Sequence, residues 1–386
     1  MGFVMFKLRT TVIALMTTVV SIFLVGCGGS NSPPVSTPPD SGGLPNPGVV
    51  LPVPPLNLKI HPSGLFVSGG GAKTSNEDMI GNYTNQAVTG VLISVPWNLC
   101  DQNCLFDFID RQLTKAEAIG LRISLSIMDG MNAPEALKAK CSAFSFNFRD
   151  IQATMCLPWN AEYLIEKKNL VAALGQRFDS RPGLAYVYFT GACSTNGNEG
   201  HCRVDQSAYT TAGYTNAKLI DAYTQVMTAY LSAFPTTPIA FEAHAIFDSP
   251  EPWQSLWQTF KASGRVGIAS WWCAERLSII GKETSLVWPL FLEAAQQTFT
   301  ICQPVGSLTK QPYRFSEPSL GLNYGTETAW TTTDSLNAFT DLMDWIEGKA
   351  VHAGQTNVIP RYKVMEPWDS EVKNSAFAER LQQFRK

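Results

Sequence analysis

The chain has 386 residues, 29 Lys and Arg against 32 Asp and Glu, a net charge of -3 and only 16% charged residues. No basic cluster offers a footprint for a polyanion, which excludes nucleic acid as the expected partner. With 45% hydrophobic residues, ten Trp, eleven Tyr and 21 Phe, the composition excludes a disordered chain and describes a large core with an aromatic-lined cleft.

Residues 1–26 join Lys7 and Arg9 to an uncharged, mostly apolar run from Thr10 to Gly26, the layout of a secretory signal peptide. The run ends Leu24-Val25-Gly26-Cys27, which resembles the lipobox of bacterial lipoproteins. That resemblance implies acylation of the Cys27 sulfur and cleavage that makes Cys27 the new N-terminus. The competing reading is a single N-terminal transmembrane helix, the run being slightly short of the ~20 residues a span needs. Either way the remainder is exported, and an acylated cysteine would hold it on a membrane. Gly28, rather than Asp, after the cysteine resembles the pattern for outer-membrane sorting. The expected location is therefore extracytoplasmic, lipid-anchored to a bacterial membrane.

Residues 27–56 are the expected lipidated cysteine and a tether that holds nine of the 24 prolines and no Lys or Arg. Such a segment lacks the apolar periodicity to pack and reads as an extended spacer. Residues 57–386 contain no second low-complexity break and are expected to form one domain, a monomer.

Removing Cys27 leaves Cys100, Cys104, Cys141, Cys156, Cys193, Cys202, Cys273 and Cys302, an even number that suits an oxidising compartment. Eight cysteines allow ~105 connectivities. Nearest-neighbour pairing is expected, because it pins irregular segments locally. Without a Cys-x-x-Cys pair or a His-Glu-x-x-His run, and with His61, His201, His244 and His352 scattered, no metal is expected. No cofactor is expected either: Gly69-Gly70-Gly71-Ala72-Lys73-Thr74 resembles a phosphate loop, but Ala72 stands where glycine is needed. There is no Gly-x-Ser-x-Gly elbow of an esterase.

Strands are expected at Leu65 to Ser68, Val91 to Trp97, Arg122 to Met128, Leu184 to Thr190, Pro238 to His244, Val266 to Trp272, somewhere within Tyr313 to Tyr324, and at Tyr362 to Glu366. Helical stripes lie between them, as in Phe106, Ile109, Leu113 and Ala116, and in Leu219, Tyr223, Val226, Tyr230 and Phe234. Further helices are expected at 159–178, 286–298, 335–347 and 374–384. Eight strands alternating with helices point to an α/β fold, a (β/α)8 TIM barrel, with an open doubly wound sheet as the alternative.

In a barrel the chemistry lies at the C-terminal strand ends. Those ends carry Trp97-Asn98, Met128-Asp129, the loop Gly191 to Cys202 with Asn198-Glu199, then Glu242 and His244, Trp271-Trp272 with Glu275, Glu317, and Glu366-Pro367-Trp368-Asp369. Glu242 and His244 share one face, opposite Ile239 and Phe241, whereas Trp271 and Trp272 point to opposite faces. Aromatic faces stack on sugar rings, and paired carboxylates supply the acid and the nucleophile or base of glycosidic bond cleavage.

The Asn198-Glu199 pair, Trp97-Asn98 and the stretch from Asp107 to Pro134 together resemble the retaining glycoside hydrolases built on (β/α)8 barrels. The resemblance implies Glu199 as acid/base, Asn198 as partner of the sugar 2-hydroxyl and Glu317, as a strand-seven glutamate, as nucleophile. Trp97, Glu242, His244, Trp272 and Glu366 complete the expected carbohydrate-binding residues. The chain departs from the family pattern twice: Glu199 lies nine residues beyond Thr190, and Glu317 precedes a proline. The competing structural readings make Glu199 and Glu317 surface loop residues, Glu242 and His244 a satisfied polar pair, and Glu366 a rim ion-pair partner. The alternative function is therefore a non-catalytic carbohydrate-binding or structural envelope lipoprotein on the same barrel.

Overall fold

The computed structural model describes residues 57–81, 83, 87–148, 150–193, 198–273, 286–318, 321–349 and 362–384. Cys27, the signal and tether segments and Glu275 lie outside them.

The apolar runs identified in the sequence form the walls of a barrel. Ten strands follow in chain order: β1 Gly64–Gly71, β2 Val88–Pro96, β3 Arg122–Met128, β4 Phe144–Phe148, β5 Ile151–Met155, β6 Leu184–Phe189, β7 Ile239–Glu242, β8 Val266–Ser270, β9 Thr300–Cys302 and β10 Val364–Met365. Eight of them close in the order β1-β10-β9-β8-β7-β6-β3-β2, every neighbour parallel. Strands such as β6, buried at all six positions, read as continuous hydrophobic runs because helices cover one face and the lumen the other. The remaining two, β4 and β5, form an antiparallel hairpin that the sequence reading did not include.

Helices Gln102–Ala118, Ala161–Phe178, Asn216–Ala233, Glu251–Phe260, Trp288–Gln297 and Thr332–Ile346 form the main outer layer. Asp101, Asn160, Thr215 and Thr331 begin four of them by accepting a hydrogen bond from a backbone N–H in the first turn. Their buried stripes pack on the outward side chains of the strands, as Leu105, Ile109 and Leu113 do with Val91, Ile93 and Ile123. A separate cluster, including Phe66, Leu92, Tyr186, Tyr188, Ala240, Ala269, Trp271, Ile301 and Val364, fills the lumen.

One strand differs from expectation. Tyr313 to Tyr324 is not the seventh strand: Pro312–Phe315 is a 3-10 turn and Glu317 makes a single antiparallel bridge with Leu322. The seventh barrel strand is β9, only three residues long. It follows the helix Trp288–Gln297 so closely that its apolar residues merge with the helical stripe in the sequence. Pro318 meanwhile removes an amide donor that a central strand at 313–324 would need.

The eight cysteines pair Cys100–Cys104, Cys141–Cys156, Cys193–Cys202 and Cys273–Cys302. Cys141–Cys156 brackets the β4–β5 hairpin, and Cys193–Cys202 closes the loop that leaves β6.

Candidate functional site

Side chains two apart in a strand share a face, so each lumen residue predicts the next inward position toward the C-terminal end. Ser68, Ser94, Ser126, Tyr188, Glu242, Trp271, Gln303 and Glu366 occupy those positions, all buried. A mostly apolar filling of aliphatic and aromatic side chains below thus gives way to a more polar layer at the mouth.

Glu366 follows β10 and is fully buried. Its Oε1 accepts hydrogen bonds from Tyr186 (2.6 Å) and Tyr188 (3.0 Å), which reach it across the lumen from β6. Its Oε2 has no partner among the described residues. Burial raises the carboxyl pKa to about 8 against the pull of both tyrosines, so Glu366 is mostly protonated at neutral pH. Beside it, Gln303 continues β9, with its main-chain N–H donating to the Ser270 carbonyl and its side-chain Oε1 unpartnered among the described residues. Trp271 Nε1 donates to the Tyr188 hydroxyl at 3.2 Å and ties this group to the next.

Glu242 ends β7. The Trp271 amide points to its Oε1 at 3.4 Å, the Gly200 amide donates to its Oε2 at 2.6 Å, and His244 Nδ1 lies 2.7 Å from Oε1 and 2.9 Å from Oε2. The His244 ring meets the His201 ring at 5.1 Å, and His201 Nδ1 lies 2.8 Å from Glu199 Oε2, an ion pair when that imidazole is protonated. Glu199, His201, His244 and Glu242 thus form a continuous polar row.

The anchors on either side of Glu199 account for its place nine positions beyond Thr190. Asn198 Oδ1 accepts from the Ser126 hydroxyl on β3, and its Nδ2 donates to Ser94 on β2 at 3.4 Å. On the other side, Gly200 is bonded to Glu242 on β7. Only glycine fits there, since a Cβ would stand 2.2 Å from the Glu242 carbonyl oxygen and 2.5 Å from the Trp253 ring. Glu199 is therefore held between two anchors over the mouth, 20% of its side chain exposed, while Cys193–Cys202 closes the excursion behind it.

The other expected residues are dispersed. Glu317 is buried in the loop after β9, paired through its main chain with Leu322, and ends no strand. Trp272 does not face the lumen: it packs outward on Trp288 and Phe291 and donates to the Ala243 carbonyl, so Trp271 is the lumen indole. Trp97 also lies on the outer side, against Tyr163 and beneath the Lys167 ammonium. Asp129, at the end of β3, is taken up by a buried ion pair with Lys167 (2.7 Å) and a hydrogen bond from Tyr163 (2.8 Å). Sequence reasoning missed Gln303, because the alternation Phe299, Ile301, Gln303 is too short to stand apart from the helix before it. Among the described residues, no group of three or more His, Cys, Asp or Glu side chains converges as metal ligands would.

No family model and no curated protein sequence matches the chain. Solved structures do match it as folds. An endoglucanase from Pseudomonas stutzeri is 12% identical over 87% of this chain and 97% of its own, with a TM-score of 0.42. The catalytic domain of an endoglucanase from Thermobifida fusca is 12% identical over 80% and 79%, with a TM-score of 0.38. Endo-glycoceramidase II from a Rhodococcus species is 13% identical over 64% and 67%, with a TM-score of 0.39. The chain itself is a (β/α)8 barrel.

Proposed function

We propose that this protein is an exported lipoprotein, anchored through Cys27 on a Pro-rich tether, whose barrel mouth takes a glycan and cleaves it with Glu199 as acid/base. One observation carries the reading: Asn198 and Gly200, the two neighbours of Glu199, are fastened to β2, β3 and β7, which aims Glu199 over a polar mouth. A proton donor at that place protonates the glycosidic oxygen, and a second carboxylate attacks the anomeric carbon or activates water. Glu317, in the loop that leaves β9 at the C-terminal end of the barrel, is the proposed second carboxylate. Glu242, His244, Glu366 and Asn198 would hydrogen-bond sugar hydroxyls, with Trp271 in place of Trp272 as the stacking face.

The test is hydrolysis of a panel of oligosaccharides by the purified protein and by Glu199→Gln and Glu317→Gln. Loss of at least about a hundredfold in each variant, with binding retained, is expected for the acid and its partner. Unchanged turnover in Glu199→Gln would overturn the assignment. A second reading, a carbohydrate-binding barrel without hydrolysis, is favoured by Gln303, because the strand-seven end carries an amide where the family resemblance calls for a carboxylate. Binding without turnover, unchanged in Glu199→Gln, selects it.

A further inference from the structure

The opposite, N-terminal end of the barrel contains a cavity of about 490 Å³ among the starts of β1, β2 and β3, with Lys363 just before β10 on its rim. Arg122 opens β3 and shares the inward parity of Ser124 and Ser126, so its guanidinium lines this cavity from the barrel floor. The residue is partly buried, and burial pulls its pKa down. The other well-placed arginines are paired: Arg177, Arg181 and Arg380 each meet two carboxylates. Arg265 donates to the carbonyls of Leu231 and Phe234. Arg122 has no such partner among the described residues, and none of the cavity-lining residues is acidic.

A second cation, Lys363, stands at the same rim, with the hydroxyls of Ser63 and Thr89 beside it. Lys59 adds positive charge: its ammonium is fixed by the carbonyls of Arg181 and Leu184 and by Thr237, and burial first, then Arg122 among its neighbours, holds its pKa down to about 8. Withdrawing a guanidinium from water without a counter-charge is unfavourable, and its planar fork of donors matches a tetrahedral oxyanion better than a single carbonyl.

We propose that this cavity is a binding site for a phosphate-class oxyanion, gripped by the Arg122 guanidinium with Lys363 closing over it. The N-terminal segment crosses the same end of the barrel, where the Lys59 amide bonds Thr236 and His61 bonds the Gly264 carbonyl. The cavity therefore lies on the side where the chain preceding the barrel arrives. The same chemistry is offered by free phosphate and by the headgroup of an anionic phospholipid.

Calorimetry with inorganic phosphate, and flotation with phosphatidylcholine vesicles with and without phosphatidylglycerol, distinguish the two sources. Both use the full chain carrying Cys27→Ser, so that no acyl group contributes. Saturable phosphate binding identifies a free oxyanion as sufficient; binding only to the anionic vesicles identifies the headgroup. In either case Arg122→Gln is expected to weaken binding at least about tenfold, as loss of a charge-assisted bidentate contact implies, and Arg122→Lys less. Lys363→Gln, on an exposed side chain, tests the site without disturbing the fold and is expected to weaken binding about threefold. Absence of binding to both probes, or binding by Lys363→Gln and a folded Arg122→Gln equal to that of the parent chain, would overturn the proposal.

Discussion

Burial strongly perturbs the Glu366 carboxyl in the mouth, and its protonation has a defined stability consequence. Its folded pKa of about 8 lies above the ordinary 4.5, so between these values the folded state keeps a proton that the unfolded state has lost. Stability from this group is therefore full below about pH 4.5, falls as pH rises towards 8 and levels off beyond. Glu366→Gln keeps the shape and the neutral charge, so it is expected to flatten that slope and to stabilise the protein at pH 8 by a few kcal/mol, with about 4 kcal/mol the upper limit for a shift of this size. Urea unfolding at pH 5 and pH 8 measures this; equal slopes in both proteins would show that Glu366 does not titrate as a buried group. Asp129 presents the opposite case, a buried charge with its partner in place. Asp129→Ala leaves the Lys167 ammonium buried over the Trp97 ring without its counter-charge and is expected to cost about 3–5 kcal/mol in denaturant unfolding.

The loop from β6 to Cys202 is the element on which the proposed chemistry depends. Its disulfide spans nine residues of sequence, and loop-closure entropy gives such a link about 2–3 kcal/mol. Replacing Cys193 and Cys202 by Ala is expected to lower the unfolding free energy by that amount while reducing glycan turnover or binding far more, because Glu199 loses its fixed place. Gly200→Ala isolates the positioning: a Cβ cannot fit against the Glu242 carbonyl and Trp253, so the loop must shift and Glu199 with it. Oligosaccharide kinetics on this variant, alongside its melting temperature, should show a fall in activity out of proportion to any loss of stability. Equal losses would mean that the loop only supports the fold.

For the whole molecule, closure of eight parallel strands removes every barrel edge and separates two ends with different chemistry. The C-terminal mouth carries carboxyls, imidazoles and an indole, whereas the N-terminal floor carries Arg122, Lys363 and Lys59. The proposed anchor has a direct check: in a cell that lipidates exported proteins, the parent chain should fractionate with membranes and Cys27→Ser should appear in the soluble exported fraction. Membrane retention of Cys27→Ser would instead support an uncleaved helix at residues 10–26.

Much of the fold could be read along the chain, because strand and helix periods are local properties. β3 was located to the residue, and seven of the eight barrel strands lie within the segments expected or overlap them. The parity of Glu242 against Ile239 and Phe241 followed from the alternation of a strand alone. The short β9 was not legible, since three residues carry too little pattern to stand apart from the helix before them; with it went Gln303. The hairpin β4–β5 is equally local and was legible: Phe144, Phe146 and Phe148 alternate with Ser145 and Asn147, a strand period that the reading passed over. Other features had no local signal at all. Which of Trp271 and Trp272 enters the lumen depends on the phase of the strand relative to the closed barrel. The return of Asn198 to Ser94 and Ser126, and of Gly200 to Glu242, joins residues 42 to 104 positions apart. The same holds for Glu366, whose raised pKa comes from burial that only closure of the barrel produces, opposed by hydrogen bonds from tyrosines 178 and 180 residues earlier. Residue types and periods along the chain were enough to define the barrel and the carboxylates available to it. Tertiary packing decided which of them meet, because desolvation and side-chain convergence are set by distance in space rather than along the chain.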